Sequence, residues 1–135
     1  MSKIILSQKY ISSICKLALN EDLYPSGDIT TNLIKYGTNK SAKIISNEQG
    51  ILAGTDFVKH TFSLIDRKLV VSFKKKNGSI IKKGEVICVI QGEIKNILIG
   101  ERVALNFLSH ISGIATQTNK YLKIVKLATM TFAKT

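Results

Sequence analysis

Three patterns predict an α+β domain for this chain of 135 residues. Apolar residues recur at helical spacing towards both ends, and β-branched residues alternate with polar ones between them. Gly78 and Gly84 stand where tight turns between short strands need a residue free to adopt positive φ. At 44% apolar and 21% charged residues, the composition is that of an ordinary globular domain, which excludes a disordered chain. No repeat or linker interrupts it, so one core is expected. No apolar run reaches the roughly 18 to 20 residues of a membrane span, and residues 1–7 are too short for a signal-peptide core. A cytoplasmic protein with no membrane partner is the expectation.

Each element follows from its residues. Over 4–19, Ile11, Ile14, Cys15, Ala18 and Leu19 fall at the spacing of an amphipathic helix. Pro25 and Gly27 stop it, and Asp28 with Thr30 and Thr31 reads as a capped turn rather than a catalytic group. Residues 41–49 alternate as a strand leading into a turn-like GILAG at 50–54. Gly54 then opens a helix whose stripe is Phe57, Val58, Thr61, Phe62 and Ile65, with Asp56 in the first turn where the helix dipole favours an anion. His60 lies off that stripe and reads as a surface residue, as does His110.

Leu69–Phe73 and Glu85–Ile90 read as strands separated by KKKNGSIIKKG. The pattern is α/β-hammerhead-like or barrel-sandwich-like, with flanking helices, and is similar to half of a biotinyl or lipoyl carrier domain. An interaction or carrier module is therefore the alternative function. It lacks an MKM or DKA motif to present a modifiable lysine. Cys15 and Cys88 stand far apart in a chain without secretory features, so both read as core residues rather than as a disulfide or metal site.

Twenty Lys and Arg face nine Asp and Glu, a net charge of +11, and no acidic residue follows Glu101. The excess favours anionic partners. Lys74–Lys76 with Lys82 and Lys83 could contact nucleic acid, yet no helix-turn-helix, RNA-binding aromatic pair or zinc motif accompanies them. They flank an Asn77-Gly78 turn where exposed charge costs little, so no nucleic-acid partner is expected. Small anionic substrates fit the charge.

The segment GERVALNFLSHISGIAT, residues 100–116, sets one arginine on a nearly apolar helix and then reads as broken at Ser112-Gly113. Leu98, Val103, Ala104, Leu105, Phe107, Leu108 and Ile111 cover most of the circumference, as in a helix buried on several sides. Arg102, Asn106, Ser109 and Gly113 form the remaining stripe, with the guanidinium at one end. Such an arginine needs an anionic partner, either a local carboxylate such as Glu101 or a ligand.

GERVALNFLSHISGIAT, with EDLYPSGDITT at 21–31 and GILAG at 50–54, resembles the N-terminal domain of quinolinate phosphoribosyltransferase, the carboxylating nicotinate-nucleotide pyrophosphorylase. The resemblance spans roughly residues 5 to 126. It implies an enzyme of NAD biosynthesis that joins quinolinate to phosphoribosyl pyrophosphate and releases pyrophosphate, nicotinate mononucleotide and CO2. It also implies a homodimer in which Arg102 reaches quinolinate across the interface, Mg2+ held elsewhere in the complete enzyme, and no cofactor on this chain. Residues 1–116 would be the N-terminal domain and 117–135 a linker helix with the truncated start of a strand, the family's C-terminal α/β barrel being absent. A chain of that extent is expected to be inactive alone, with Leu105 and Leu108 left uncovered and residues from Leu127 onward frayed or loosely docked.

Overall fold

The computed structural model describes residues 6–23 and 37–134, with side chains up to residue 120 and backbone from 121 to 134. The capped turn read at Asp28 to Thr31 lies outside the described residues. In chain order the elements are α1 (Gln8–Leu23), β1 (Asn39–Ile45), β2 (Gly50–Ile51), α2 (Thr55–Ile65), β3 (Val70–Phe73), β4 (Ile80–Ile81), β5 (Val86–Glu93) and α3 (Ile94–Lys134). This is the expected α+β domain, built on open antiparallel sheets.

Helix α1 starts later than its apolar pattern suggests because Ser7 caps it: the Ser7 hydroxyl accepts from the Tyr10 amide at 3.1 Å. Its buried face is Ile11, Cys15 and Leu19. The main sheet runs β1-β5-β3, and β2 pairs with β4 in a separate two-stranded ribbon. Strand β1 is shorter than read, ending at Ile45 where its register against β5 shifts. GILAG is not simply a turn, since Gly50 and Ile51 pair with Ile81 and Ile80. The Asn77-Gly78 turn has a second duty: the Asn77 side chain accepts from the Thr55 amide at 3.2 Å, satisfying a free N–H at the start of α2.

The core lies between the sheets and the helices, around Leu52, Val58, Phe62, Ile87, Ile90 and Leu108. Cys15 and Cys88 are free and buried, as expected. Desolvation raises the Cys15 thiol pKa and pushes that of Cys88 up to about 11. Both thiols therefore stay protonated near neutrality. A thiol reagent at pH 8 should leave the native chain unmodified and label both cysteines once it unfolds. The stabilisation that goes with neutral Cys88 is complete below the unfolded thiol pKa and is lost as pH rises towards about 11.

Helix α3 does not break at Ser112-Gly113. It continues to Lys134, so residues 127–134 are helical rather than frayed strand. A single glycine costs a helix about 1 kcal/mol, which neighbouring packing outweighs. The serine, which in isolation competes for backbone hydrogen bonds, is engaged elsewhere. The Ser112 hydroxyl accepts from the Ala53 amide at 3.0 Å and donates to the Ala53 carbonyl at 3.1 Å. One turn on, the Thr116 hydroxyl accepts from the Ile51 amide at 2.9 Å and donates to the Ser112 carbonyl at 2.7 Å. The two hydroxyls thus cover the free edge of the GILAG segment as a neighbouring strand would. Ser112→Ala leaves the Ala53 amide and carbonyl unpaired and should cost about 1–3 kcal/mol in chemical denaturation. Thr116→Val should act in the same direction.

The close approach needs small residues on the other side. A Cβ on Gly50 would lie 2.7 Å from the Thr116 hydroxyl oxygen, and one on Gly54 would lie 3.0 and 3.1 Å from Ile111 carbons. Two of the motifs that carry the family resemblance are therefore the two sides of one contact.

Candidate functional site

The stripe read on α3 is on the surface: Arg102, Asn106, Ser109 and Gly113 are all exposed. Among the residues whose side chains are described, the helix is buried along one side, through Ile97, Gly100, Val103, Ala104 and Leu108. Within this chain alone the helix is therefore not enclosed on several sides. Of the two leucines expected to be left uncovered, Leu105 is exposed, but Leu108 is buried because the chain's own core covers it; Ile114 is exposed as well. Of the exposed apolar residues, Leu105 stands about one helical turn from Arg102.

Arg102 pairs with Asp22 rather than with adjacent Glu101. Its Nη1 donates to Asp22 Oδ1 at 3.0 Å, and the arginine side chain remains 67% exposed against 18% for the aspartate. The pair borders a cleft of about 340 Å3 lined also by Leu98, Ile99, Glu101, Leu105 and Asn106. Helix α1 delivers Asp22 to this place. Ile11, Cys15, Leu19 and Asp22 fall at i, i+4, i+8 and i+11, so the aspartate continues the buried stripe of α1 at its C-terminal end. That placement was the available signal for Asp22, an acidic residue ending an apolar stripe, and residue-type reasoning passed over it.

An exposed pair of this kind contributes little to stability. An arginine uses up to five N–H donors, and among the described residues Asp22 is the acceptor given for one of them. The guanidinium can therefore present a free edge to a carboxylate or phosphate from outside the chain. A second, larger hollow of about 850 Å3 separates the sheet face from α3. Its floor is apolar, with Phe62, Ile87, Ile90 and Ile97, and it holds no arginine.

The other candidates resolve plainly. His60 hydrogen-bonds the Gln8 side chain and His110 is exposed, so both stand at the surface as read. Lys75 holds Glu85 across the Asn77-Gly78 loop, with Nζ 2.8 Å from each carboxylate oxygen, and this contact holds the Glu85 carboxyl below its usual range. Among the described residues the magnesium implied by the resemblance finds no ligand set. No three His, Cys, Asp or Glu side chains converge among them. None of the described helices is long and apolar enough to cross a membrane.

Among the described residues, this small α+β domain displays one cation, Arg102, at the edge of a cleft that also holds the Asp22 and Glu101 carboxylates, an arrangement that can receive an anion from outside the chain. The comparisons give the family. Residues 28–112 match the family described as quinolinate phosphoribosyl transferase, N-terminal domain, and the chain belongs to that family. A Bacillus subtilis relative named as a probable carboxylating nicotinate-nucleotide pyrophosphorylase is 38% identical over 98 residues, covering 73% of this chain and 34% of the relative. The Arabidopsis thaliana chloroplastic nicotinate-nucleotide pyrophosphorylase is 35% identical over 109 residues, covering 80% and 31%. Among solved structures, the Francisella tularensis nicotinate-nucleotide pyrophosphorylase superposes with a TM-score of 0.85 at 28% identity, over 91% of this chain and 43% of that one. NadC from Streptococcus pyogenes gives 0.84 at 32% identity, over 90% and 43%. The chain spans about a third of the length of the curated relatives it matches.

Proposed function

We propose that this chain serves as the N-terminal, substrate-capping domain of a cytoplasmic quinolinate phosphoribosyltransferase of NAD biosynthesis, which converts quinolinate and phosphoribosyl pyrophosphate to nicotinate mononucleotide, pyrophosphate and CO2. The hammerhead- or barrel-sandwich-like arrangement of the β2–β4 ribbon beside the main sheet suits a rigid platform for α3. In this reading α3 presents Arg102 to quinolinate bound on a neighbouring subunit of a homodimer. A guanidinium fork meets a planar carboxylate through two parallel charge-assisted hydrogen bonds, which fixes the ring so that its nitrogen faces the ribose carbon.

The single observation that carries this reading is the exposed guanidinium of Arg102, standing in the matched motif with donors left over from its contact to Asp22 among the described residues. The net charge of +11 supports the same substrate class, since both reactants are polyanions.

The test is reconstitution. This chain is mixed with the separately produced remainder of the Bacillus subtilis relative, and CO2 release from quinolinate labelled at the 2-carboxylate is followed with phosphoribosyl pyrophosphate and Mg2+ present. Release that requires both polypeptides supports the proposal. A stable assembly with no release argues against it, and mass addition on a lysine of this chain in cell extract would favour the carrier alternative.

A further inference from the structure

We propose that Asp22 is a positioning residue for Arg102, an inference that rests on the anion-binding reading of that arginine. The two side chains have unequal surroundings. Asp22 is 18% exposed and continues the buried stripe of α1, while Arg102 is 67% exposed on the outer face of α3. The aspartate is therefore the fixed member and the arginine the one being held.

An unpartnered arginine on a helix surface samples many rotamers, and a ligand that captures it must overcome that freedom. Asp22 reduces the freedom beforehand by holding Nη1 at 3.0 Å. It does so from one edge through one oxygen, which leaves the rest of the planar fork for an incoming carboxylate. A carboxylate placed to block the site would instead occupy the fork through both its oxygens. Neighbouring Glu101 lines the same cleft but does not pair with the guanidinium, so among the described residues the orienting role falls to Asp22.

The inference is tested on the full chain and on the reconstituted assembly. In 15N-detected NMR of the full chain, Arg102 should show a well-ordered Nε–Hε group. Asp22→Ala should average that signal, and Asp22→Asn, which keeps an acceptor oxygen, should give an intermediate state. In the assembly, Asp22→Ala should raise KM for quinolinate about fivefold, with kcat within about twofold and KM for phosphoribosyl pyrophosphate unchanged. Asp22→Asn should recover part of the difference, which loss of fold would not. Should the alanine variant not fold, the asparagine variant is compared with the native chain and the same signs apply. An unaltered Arg102 signal, or a quinolinate KM that stays constant or falls, overturns the role. If Arg102→Ala cripples turnover while Asp22→Ala is silent, positioning alone fails. If Arg102→Ala is itself silent, the reading of Arg102 fails and this inference falls with it.

Discussion

Gly54→Ala is expected to destabilise the chain by about 2–4 kcal/mol, a loss on the order of 10 °C in Tm. Two effects add. Gly54 has φ 83° and ψ 18°, the left-handed region, where a Cβ costs about 1–2 kcal/mol. The same Cβ would lie 3.0 Å from Ile111 Cδ1 and 3.1 Å from Ile111 Cβ. The second of these belongs to the rigid root of a β-branched side chain on α3, so α2 and α3 must move apart, an overpacking cost of about 1–3 kcal/mol. Gly50→Ala should be milder, because the Thr116 hydroxyl that it meets can rotate away, at the expense of its bond to Ile51. Thermal unfolding followed by circular dichroism measures both. A Gly54→Ala chain within about 0.5 kcal/mol of the native one would mean that the start of α2 is not packed as described.

Arg102→Ala is expected to lower kcat/KM for quinolinate in the reconstituted assembly by roughly a hundredfold, about 3 kcal/mol, with no loss of fold. The size follows from removing one side of a desolvated charge-assisted pair, which leaves a substrate carboxylate unpaired. The absence of a fold effect follows from the exposure of Arg102 and the small worth of its surface pair with Asp22. Arg102→Lys keeps the charge and loses the fork, so it should recover only part of the rate. The clamp at Ser112 and Thr116 is an internal control. Ser112 lies roughly 15 Å along α3 from Arg102 at 1.5 Å per residue, so Ser112→Ala should change stability and leave the quinolinate dependence of the rate alone.

Most of this fold was legible because its elements obey local rules. Ile11, Cys15 and Leu19 give α1, Val58, Thr61 and Phe62 give α2, and the glycines at 78 and 84 do adopt positive φ. What escaped was decided at a distance. Ser112 and Gly113 look like a helix break when α3 is read by itself, and only the free edge of Gly50–Ala53 on another element explains why the helix continues. Asp22 and Arg102 are 80 positions apart, and their pairing depends on α1 packing beside α3. The candidate site was half visible. The arginine stood out chemically in its apolar setting, while the aspartate that holds it was one acid among several in a motif read for its turn. The apolar circumference of α3 was legible, but composition cannot tell which side of a mostly apolar helix meets the chain's own core, as Leu108 does, and which is left exposed, as Leu105 and Ile114 are.

The measurement that bears most directly on Arg102 as the group presented to quinolinate is the initial rate of CO2 release against quinolinate concentration. It is made in the reconstituted assembly, at saturating phosphoribosyl pyrophosphate, with the native chain and with Arg102→Ala at equal folded concentrations. The account predicts a curve for the variant lowered by about two orders of magnitude in its initial slope. Superimposable curves would contradict it and return Arg102 to the role of a surface residue paired with Asp22.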